Sequence, residues 1–282
     1  MTIAVTGATG QLGRLVLDAL LDRGVDAGGI VALGRDTARL EDLSARGVRV
    51  RRADYDDPAT LGPALEGVDT LLLVSGSEIG KRLPQHTAVI EAARAAGVGL
   101  LVYTSAPNAD TAAYTIAQEH RATEQVLADS GLPHVVLRNG WYLENYLGQL
   151  PTYLEHGIVG AAGEGRIAAA TRADLAEAAA VVLTTDGHAG QVIDLGGPAF
   201  TMAELAAEVS AASGREVTYT DLPEAQLVEV LVGAGLPGPY AAVLADADAD
   251  AAHGALDLDP SWLEKLLGRP ATTMREAVRA AL

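Results

Sequence analysis

The chain has 282 residues, of which 49% are hydrophobic, enough for one large domain or for a main domain with a smaller lobe. Its formal net charge of −17 argues against nucleic acid or an anionic membrane surface as a partner, because phosphate binding needs clustered Lys and Arg. No apolar run reaches bilayer-spanning length, and the absence of cysteine excludes disulfides and thiolate metal sites, so we expect a cytoplasmic protein.

The first predicted strand, Ile3-Ala4-Val5, begins directly after Met1-Thr2, so we expect no signal peptide. A glycine-rich stretch follows, Thr6-Gly7-Ala8-Thr9-Gly10-Gln11-Leu12-Gly13, and then an amphipathic helical pattern. Glycines in a strand–turn–helix permit positive φ and close approach of a diphosphate, and the helix N-terminus attracts the anion. The pattern therefore predicts a dinucleotide diphosphate site, with an ordinary tight strand–helix turn as the alternative.

Strands and helices alternate through the rest of the first half. Strands are predicted over 29–34, 48–53, 70–74, 99–104 and 134–138, with helices around 37–45, 58–67, 82–96 and 116–130. This alternation implies βαβ units and an α/β fold with a doubly wound parallel sheet (Rossmann) in the strand order 3-2-1-4-5-6.

The regularity weakens in the second half. Residues 141–155 and 173–183 read as helices, and 191–195 reads as a strand that we expect to return to the sheet. Helices dominate the remainder, with a short strand near 217–219, and the Ala/Asp-rich stretch 245–257 favours a solvated acidic helix or lid. We therefore expect a cofactor-binding Rossmann domain over 1–155 and a smaller, mainly helical, substrate-covering C-terminal lobe over 156–282.

Arg35 indicates which dinucleotide is bound. Ligands of an open parallel sheet lie beyond the carboxyl ends of its strands, and NAD-specific proteins carry an acidic residue at the end of strand two for the ribose 2′-OH. Arg35 occupies this place and would pair with a 2′-phosphate, so the sequence favours NADP(H) as the cofactor. The alternative is a surface arginine at a helix start, because Asp36 comes next. Arg14 adds at most a weak contribution.

Other polar residues have plainer interpretations. Asp54, after strand three, is either an acceptor for the adenine amino group or the N-cap of the following segment. We expect no metal site, because His86, His120 and His156 have no zinc-ligand spacing. Hydrolase chemistry is not expected either, because Ser105 lies outside a Gly-x-Ser-x-Gly elbow.

Seven stretches of the chain carry a family resemblance. They are Thr6–Gly13, Ala53–Tyr55, Leu71–Glu78, Pro84–His86, Tyr103–Ser105, Leu137–Tyr142 with Glu144–Tyr146, and Ala170–Asp174. Together they resemble the NmrA-like group of atypical short-chain dehydrogenase/reductases, nearest to bacterial type 2 NAD(P)H:quinone oxidoreductases and triphenylmethane reductases. The similarity covers essentially the whole chain, and its specific parts are Arg-Asn-Gly-Trp-Tyr at 138–142 and Ala-Thr-Arg-Ala-Asp at 170–174.

The resemblance implies an NADPH-dependent reductase that transfers hydride to a flat conjugated acceptor such as a quinone. It also implies contacts for the diphosphate, the 2′-phosphate, the nicotinamide-side ribose and the nicotinamide. These are, in turn, the loop residues Thr6, Gly7, Thr9, Gly10, Gln11 and Leu12; Arg35; Ser75, Gly76 and Ser77; and Gly140, Trp141, Tyr142 and Asn145. Arg172 is a further cofactor or cleft contact, or else the partner of Asp174 in an ion pair at a helix start.

The catalytic pair of typical short-chain dehydrogenases is incomplete here. Tyr114 and Gln118 have the Tyr-x-x-x-Lys spacing, but an uncharged Gln cannot lower the pKa of the phenol. Reduction of a quinone tolerates this loss, because the resulting phenolate-type anion is weakly basic and can take its proton from water. The catalytic residue is therefore left unassigned, with Tyr114 as a weak candidate. Trp141, Tyr142 and Tyr146 either stack on an aromatic substrate or pack in the core.

Two classes of function remain after these steps. The first is a reductase whose partners are small aromatic or conjugated molecules, with a homodimer left open and with no metal, nucleic acid or membrane partner. The second is a non-catalytic NADP(H)-sensing NmrA-like regulator; a reductase of a specialised ketone, imine or dye is a variant of the first. The missing lysine favours the regulator, and the match through 141–146 favours the reductase.

Overall fold

The computed structural model describes residues 1–282, which form two compact units. One unit consists of Met1–Ser105, Glu119–Arg138 and Arg172–Ile193, and the other of Ala106–Gln118, Asn139–Thr171 and Asp194–Leu282. These units do not coincide with the expected ranges 1–155 and 156–282, because segments 106–118 and 139–171 leave the first unit and the chain then returns to it. None of the helices is both long enough and apolar enough to cross a membrane.

Nine strands form two sheets. They are β1 (Ile3–Val5), β2 (Ile30–Gly34), β3 (Arg49–Arg52), β4 (Thr70–Leu73), β5 (Leu100–Ser105), β6 (His134–Asn139), β7 (Ile158–Gly160), β8 (Val192–Leu195) and β9 (Tyr219–Asp221). The larger sheet has the order β3-β2-β1-β4-β5-β6-β8, with parallel pairing from β3 through β6. This confirms the predicted Rossmann order, and β8, the strand expected over 191–195, returns to the sheet beside β6 as predicted. The unpredicted β7 pairs with β9 in a separate two-stranded sheet.

Thirteen α-helices accompany the strands. They are α1 (Gln11–Asp22), α2 (Glu41–Ala45), α3 (Leu61–Leu65), α4 (Arg82–Ala96), α5 (Thr115–Asp129), α6 (Leu143–Leu147), α7 (Leu150–His156), α8 (Arg172–Thr184), α9 (Met202–Ser213), α10 (Glu224–Gly233), α11 (Gly238–Ala251), α12 (Ser261–Leu267) and α13 (Met274–Ala281). The single helix expected over 141–155 is two helices, because Pro151 has no N–H to continue the hydrogen-bond ladder from α6.

The burial of the strands explains why the sheet forms in this order. All residues of β1, β2 and β4 are buried, as expected for central parallel strands covered on both faces. The arginine-rich β3 is partly exposed and lies at an edge. Because β1 lies between β2 and β4, the segments that follow these three strands lie next to one another at the carboxyl ends of the strands.

The Ala/Asp-rich helix α11 is not the solvated acidic helix expected from the sequence. Its alternating alanines are buried, and its carboxylates accept hydrogen bonds from backbone N–H groups. Asp250 Oδ2 lies 2.9 Å from the amide nitrogen of Ala113, and Asp246 Oδ2 lies 2.7 Å from that of Thr115. Within the second unit these carboxylates therefore fix the segment that begins α5, where free N–H groups attract negative charge.

The glycine-rich loop contains one position at which no larger residue fits. A Cβ atom on Gly13 would lie 2.4 Å from the carbonyl oxygen and 2.8 Å from the carbonyl carbon of Gly7. Both are backbone atoms of the turn, so a side chain would push α1 away from the loop. By contrast, a Cβ on Gly62 in α3 would meet nothing within 4 Å.

We expect Gly13→Ala to lower the free energy of unfolding by about 1–3 kcal/mol, because the added methyl overpacks a backbone contact. Gly62→Ala adds the same methyl to the same unit and should raise it by about 0.5–1 kcal/mol, because alanine is the better helix former. Urea denaturation of both variants measures the difference. A Gly13→Ala protein as stable as the unsubstituted chain would contradict the close approach.

Candidate cofactor site

The loop after β1 has the geometry of an anion cradle. Gly7 has a φ of +60°, and the amide of Gly10 donates to the Gly7 carbonyl at 2.8 Å, which closes a tight turn before α1. Gly10 is the N-cap of α1 and provides no side-chain cap, so the first-turn N–H groups of this 12-residue helix remain available to a ligand. A Cβ on Gly34 would lie 3.2 Å from the methyl of Thr9, so β2 ends in a glycine where the loop passes.

The Thr6 hydroxyl fixes the start of this loop through three hydrogen bonds. It donates to the Leu72 carbonyl at 3.2 Å and accepts from the amide of Val74 at 2.9 Å and from the Tyr55 hydroxyl at 2.5 Å. One hydrogen and two lone pairs are all that a hydroxyl offers, so its hydrogen-bonding capacity is used inside the protein. Thr6 therefore positions the turn through its hydroxyl, and its contact with the cofactor stays a prediction.

The loop after β4 is held by buried polar groups. The amide of Ser75 donates to Thr104 Oγ1 at 2.9 Å, and that of Gly76 donates to His86 Nε2 at 2.9 Å. Arg82 donates from Nε to the Gly76 carbonyl at 3.0 Å, and its guanidinium forms a buried ion pair with Glu119. The backbone of Ser75-Gly76-Ser77, where the ribose contact is expected, is thus fixed by α4, α5 and β5.

His86 is neutral in this arrangement. Because Nε2 accepts from the Gly76 amide, the ring proton lies on Nδ1, which is 3.1 Å from Thr123 Oγ1. Burial, followed by the positive charge of Arg82, lowers the pKa of His86 to about 3. A protonated His86 would lose the acceptor that holds Gly76.

His86 belongs to a row of buried rings. Its centroid lies 6.3 Å from that of Tyr55 and 5.3 Å from that of Tyr103, both in edge-on geometry. The Tyr103 hydroxyl lies 2.6 Å from His120 Nδ1, and burial holds the pKa of His120 well below its usual value. This row lies beneath both loops, and the sequence indicated it only through the matching stretches at 53–55, 84–86 and 103–105.

Arg35 follows β2 and is exposed, with its Nη1 atom 3.7 Å from Glu78 Oε1. Arg14 is not directed to a phosphate, because its guanidinium pairs with Asp42 and Asp18. Asp54 accepts from the amide of Asp56 at 3.1 Å and so stabilises a turn, rather than capping the helix as one alternative proposed. The adenine contact of Asp54 stays a prediction.

Ser105 and Arg138, at the ends of β5 and β6, share one carboxylate. The Ser105 hydroxyl donates to Glu124 Oε1 at 2.6 Å, and Arg138 contacts both oxygens of Glu124, at 3.1 and 2.7 Å. These contacts join the ends of β5 and β6 through a largely buried bidentate ion pair. They leave Ser105 in a structural role, with its hydroxyl committed to Glu124.

Tyr114 is buried in the second unit, so it cannot readily act as an acid. Its hydroxyl donates to the Pro107 carbonyl at 3.0 Å, and burial raises its pKa. Gln118 donates to the Ala113 carbonyl instead of contacting Tyr114, so the Tyr-x-x-x-Gln spacing does not form a pair. The ring of Tyr114 meets Trp141 edge-on with centroids 6.4 Å apart.

Packing within the second unit explains the identity of several residues that follow β6. A Cβ on Gly140 would lie 2.4 Å from the Ala168 carbonyl oxygen, so the close approach of this segment already requires glycine. Tyr146 is buried with its ring 5.7 Å from Phe200, which settles its open alternative as core packing. Trp141 and Tyr142 are half-buried, and the backbone of Tyr142 forms an isolated parallel β-bridge with that of Ala170.

The remaining predicted contacts, Asn145 and Arg172, belong to helices α6 and α8. Asn145 is exposed in α6, and Arg172 is the first residue of α8, two positions before the buried Asp174. A cavity of about 790 Å³ in the second unit contains none of the predicted site residues. Its lining includes Leu147, Thr171, Arg269, Thr273 and Ala277.

Comparison with known proteins identifies the relatives of this chain. A family model described as NAD(P)H-binding matches residues 7–186. Quinone oxidoreductase 2 of Escherichia coli K12 is 51% identical over 98% of this chain and 97% of its own, and NAD(P)H azoreductase of Xenophilus azovorans is 32% identical over 99% and 97%.

Two solved structures agree with this result. The NADPH-dependent quinone oxidoreductase of Escherichia coli complexed with NADPH matches at a TM-score of 0.96 and 50% identity, over 99% of both chains. Triphenylmethane reductase of Citrobacter sp. complexed with NADP(H) matches at a TM-score of 0.94 and 36% identity, over 100% of both chains.

The neutral His86 makes stability depend on pH. Between pH 6.5 and about 3 the unfolded chain binds a proton at His86 that the folded chain does not, so the free energy of unfolding falls as pH falls. His86→Gln keeps an acceptor for Gly76 but does not titrate. Its free energy of unfolding should therefore fall less steeply as pH falls, with a slope that is smaller by up to about 1.4 kcal/mol per pH unit. Urea denaturation from pH 7.5 to 4.5 measures this, with His253→Gln at an exposed histidine as the control. Parallel profiles for the unsubstituted chain and His86→Gln would contradict the assignment.

Proposed function

This chain belongs to the NAD(P)H-binding family that includes quinone oxidoreductase 2, and we propose that it is an NADPH-dependent reductase of quinones or similar conjugated acceptors. The observation that carries the proposal is the 51% identity to quinone oxidoreductase 2 over nearly the full length of both chains. The likeness to the azoreductase and to the triphenylmethane reductase fits an acceptor that is flat and conjugated.

The structure fits the cofactor at the loop after β1. The tight turn at Gly7 and Gly10, and a helix N-terminus without a side-chain cap, form a cradle for a diphosphate. Arg35 provides the guanidinium for a 2′-phosphate, and Ser75-Gly76-Ser77 provides a fixed backbone for the ribose. When bound, NADPH supplies the hydride, and the residues of this chain hold and orient it. The assignment of individual contacts, including those at Gly140, Trp141, Tyr142, Asn145 and Arg172, stays a proposal.

The arrangement supports reduction without a dedicated protein acid. The hydroxyls of Ser105 and Tyr114, the groups nearest in type to a short-chain dehydrogenase acid, both donate inside the protein. A quinone needs no strong acid at the moment of hydride arrival, because its reduced oxygen is weakly basic. Positioning of the acceptor next to the cofactor then contributes most of the rate. A homodimer and a cytoplasmic location stay predictions.

The deciding measurement is the loss of reduced-nicotinamide absorbance with purified protein, NADPH and a panel of benzoquinones, naphthoquinones, dyes and imines. We expect turnover with quinones, and slower turnover with NADH, which lacks the 2′-phosphate that Arg35 binds. Tight NADPH binding without turnover on any acceptor would contradict the proposal and favour the NADP(H)-sensing regulator. Turnover only with dyes or imines would show that the chain is a reductase whose acceptor is not a quinone.

Tyr114→Phe tests the absence of a tyrosine acid. We expect kcat with a quinone to stay within about twofold, because the Tyr114 hydroxyl is committed to Pro107, while stability falls by about 1–2 kcal/mol for the unpaired carbonyl. Steady-state kinetics and urea denaturation measure the two effects, with Tyr240→Phe at an exposed tyrosine as the matched control. A loss of about 100-fold or more in kcat, the scale of general acid catalysis, would restore Tyr114 as the proton donor.

A further inference from the structure

An ion pair crosses the carboxyl ends of the central strands, next to the glycine-rich loop. Arg35 follows β2 and Glu78 lies in the loop after β4, and β1 is the strand between β2 and β4. Arg35 Nη1 and Glu78 Oε1 are 3.7 Å apart, so the pair spans the carboxyl end of β1. A dinucleotide that uses the cradle must pass this place, because ligands of such sheets lie beyond the carboxyl ends of the strands.

The Glu78 carboxylate holds a second cation on its other oxygen. Lys81 Nζ lies 2.9 Å from Glu78 Oε2, and it is also 3.9 Å from Asp56 Oδ2. The hydrogen bond from Lys81 lowers the pKa of Glu78, so this carboxyl is ionised at neutral pH. Arg35 and Lys81 are therefore brought to one point by one negative charge.

The backbone under Glu78 is fixed, whereas the three side chains are free to rearrange. Gly76 is held by His86 and Arg82, and the amide of Gly80 donates to Glu119 Oε1 at 2.6 Å. The side chains of Arg35, Lys81 and Glu78 are 69%, 57% and 40% exposed. Exposed pairs of this kind are weak, so a ligand with greater negative charge can displace the carboxylate.

A 2′-phosphate is such a ligand. It carries more charge than a carboxylate and matches the planar guanidinium of Arg35 bidentately. Glu78 cannot stay beside Arg35 when the phosphate arrives, because like charges at that distance repel. Because Lys81 shares Glu78 with Arg35, a phosphate on Arg35 has Lys81 as a neighbouring cation once Glu78 moves away.

We propose that Glu78 is the counter-ion that the 2′-phosphate of NADPH displaces from Arg35, and that Lys81 then provides the second positive charge on that phosphate. Glu78 and Lys81 thereby set how strongly the chain prefers NADPH to NADH: Glu78 reduces the preference and Lys81 increases it. The inference rests on the proposed function only for the identity of the cofactor, because it concerns binding and not turnover.

Calorimetric titration of the full chain with NADPH and with NADH tests the two roles. Glu78→Gln should tighten NADPH about threefold to fivefold, the scale of one exposed ion pair, and should change NADH less than twofold. Lys81→Gln should weaken NADPH about threefold and leave NADH unchanged. Glu91→Gln and Arg94→Gln alter the same charges at exposed positions of α4 and control for the net charge of the protein.

A double-mutant cycle separates displacement from a general field effect. With Arg35→Ala as background, Glu78→Gln should tighten NADPH much less, because the carboxylate then competes with the phosphate only for Lys81. Equal shifts of NADPH and NADH, or an undiminished Glu78→Gln effect in the Arg35→Ala background, would overturn the inference. The proposed function fails on different results: no binding of either nucleotide, or NADPH binding without turnover on any acceptor.

Discussion

The loops at the carboxyl ends of the central strands depend on the hydrogen bonds of the Thr6 hydroxyl. Its three hydrogen bonds join the end of β1 to Leu72 and Val74 at the end of β4 and to Tyr55 after β3. The glycine turn begins at the next residue, and Gly76 lies two residues after Val74 in the loop that follows β4. Both walls of the cofactor site therefore start from one buried oxygen atom, and the row of rings from Tyr55 to His120 continues this support inward.

Local sequence patterns were sufficient for most of the sheet. The apolar runs at β1, β2 and β4 and the alternation with helices gave the order 3-2-1-4-5-6, because right-handed crossovers leave few other arrangements. The boundary near residue 155 was not predictable in the same way. Compact units depend on contacts between distant segments, and 106–118 and 139–171 carry no compositional sign that they leave the first unit. The carboxylates of Asp246 and Asp250 show the same limit, since their partners lie more than 130 residues away in sequence.

For the candidate site, the sequence pattern predicted the glycine turn, because a positive φ at Gly7 and a close backbone approach at Gly13 favour glycine. The contacts of this loop and of Arg35 with the cofactor stay predictions. At Tyr114 and Gln118 the spacing of the catalytic pair is present but the two side chains do not meet, because Tyr114 precedes α5 and donates to Pro107 while Gln118 donates to Ala113. Gly140 shows a third case: the family match marked it as a cofactor contact, and the packing against Ala168 already explains why it is glycine.

The charges around the site follow from the acidity of the whole chain. A protein of net charge −17 that binds a polyanion needs local cations, and several basic side chains of the first unit already have a carboxylate partner. Arg14 pairs with Asp42, Arg52 with Asp57, and Arg35 and Lys81 with Glu78. Affinity for a phosphate in such a setting depends on which pair is weakest and least buried. The exposed Arg35–Glu78 pair has the longest separation of these at 3.7 Å, and it lies where the cofactor passes, so exchange of one anion for another at Arg35 is the route by which an acidic protein selects a phosphorylated ribose.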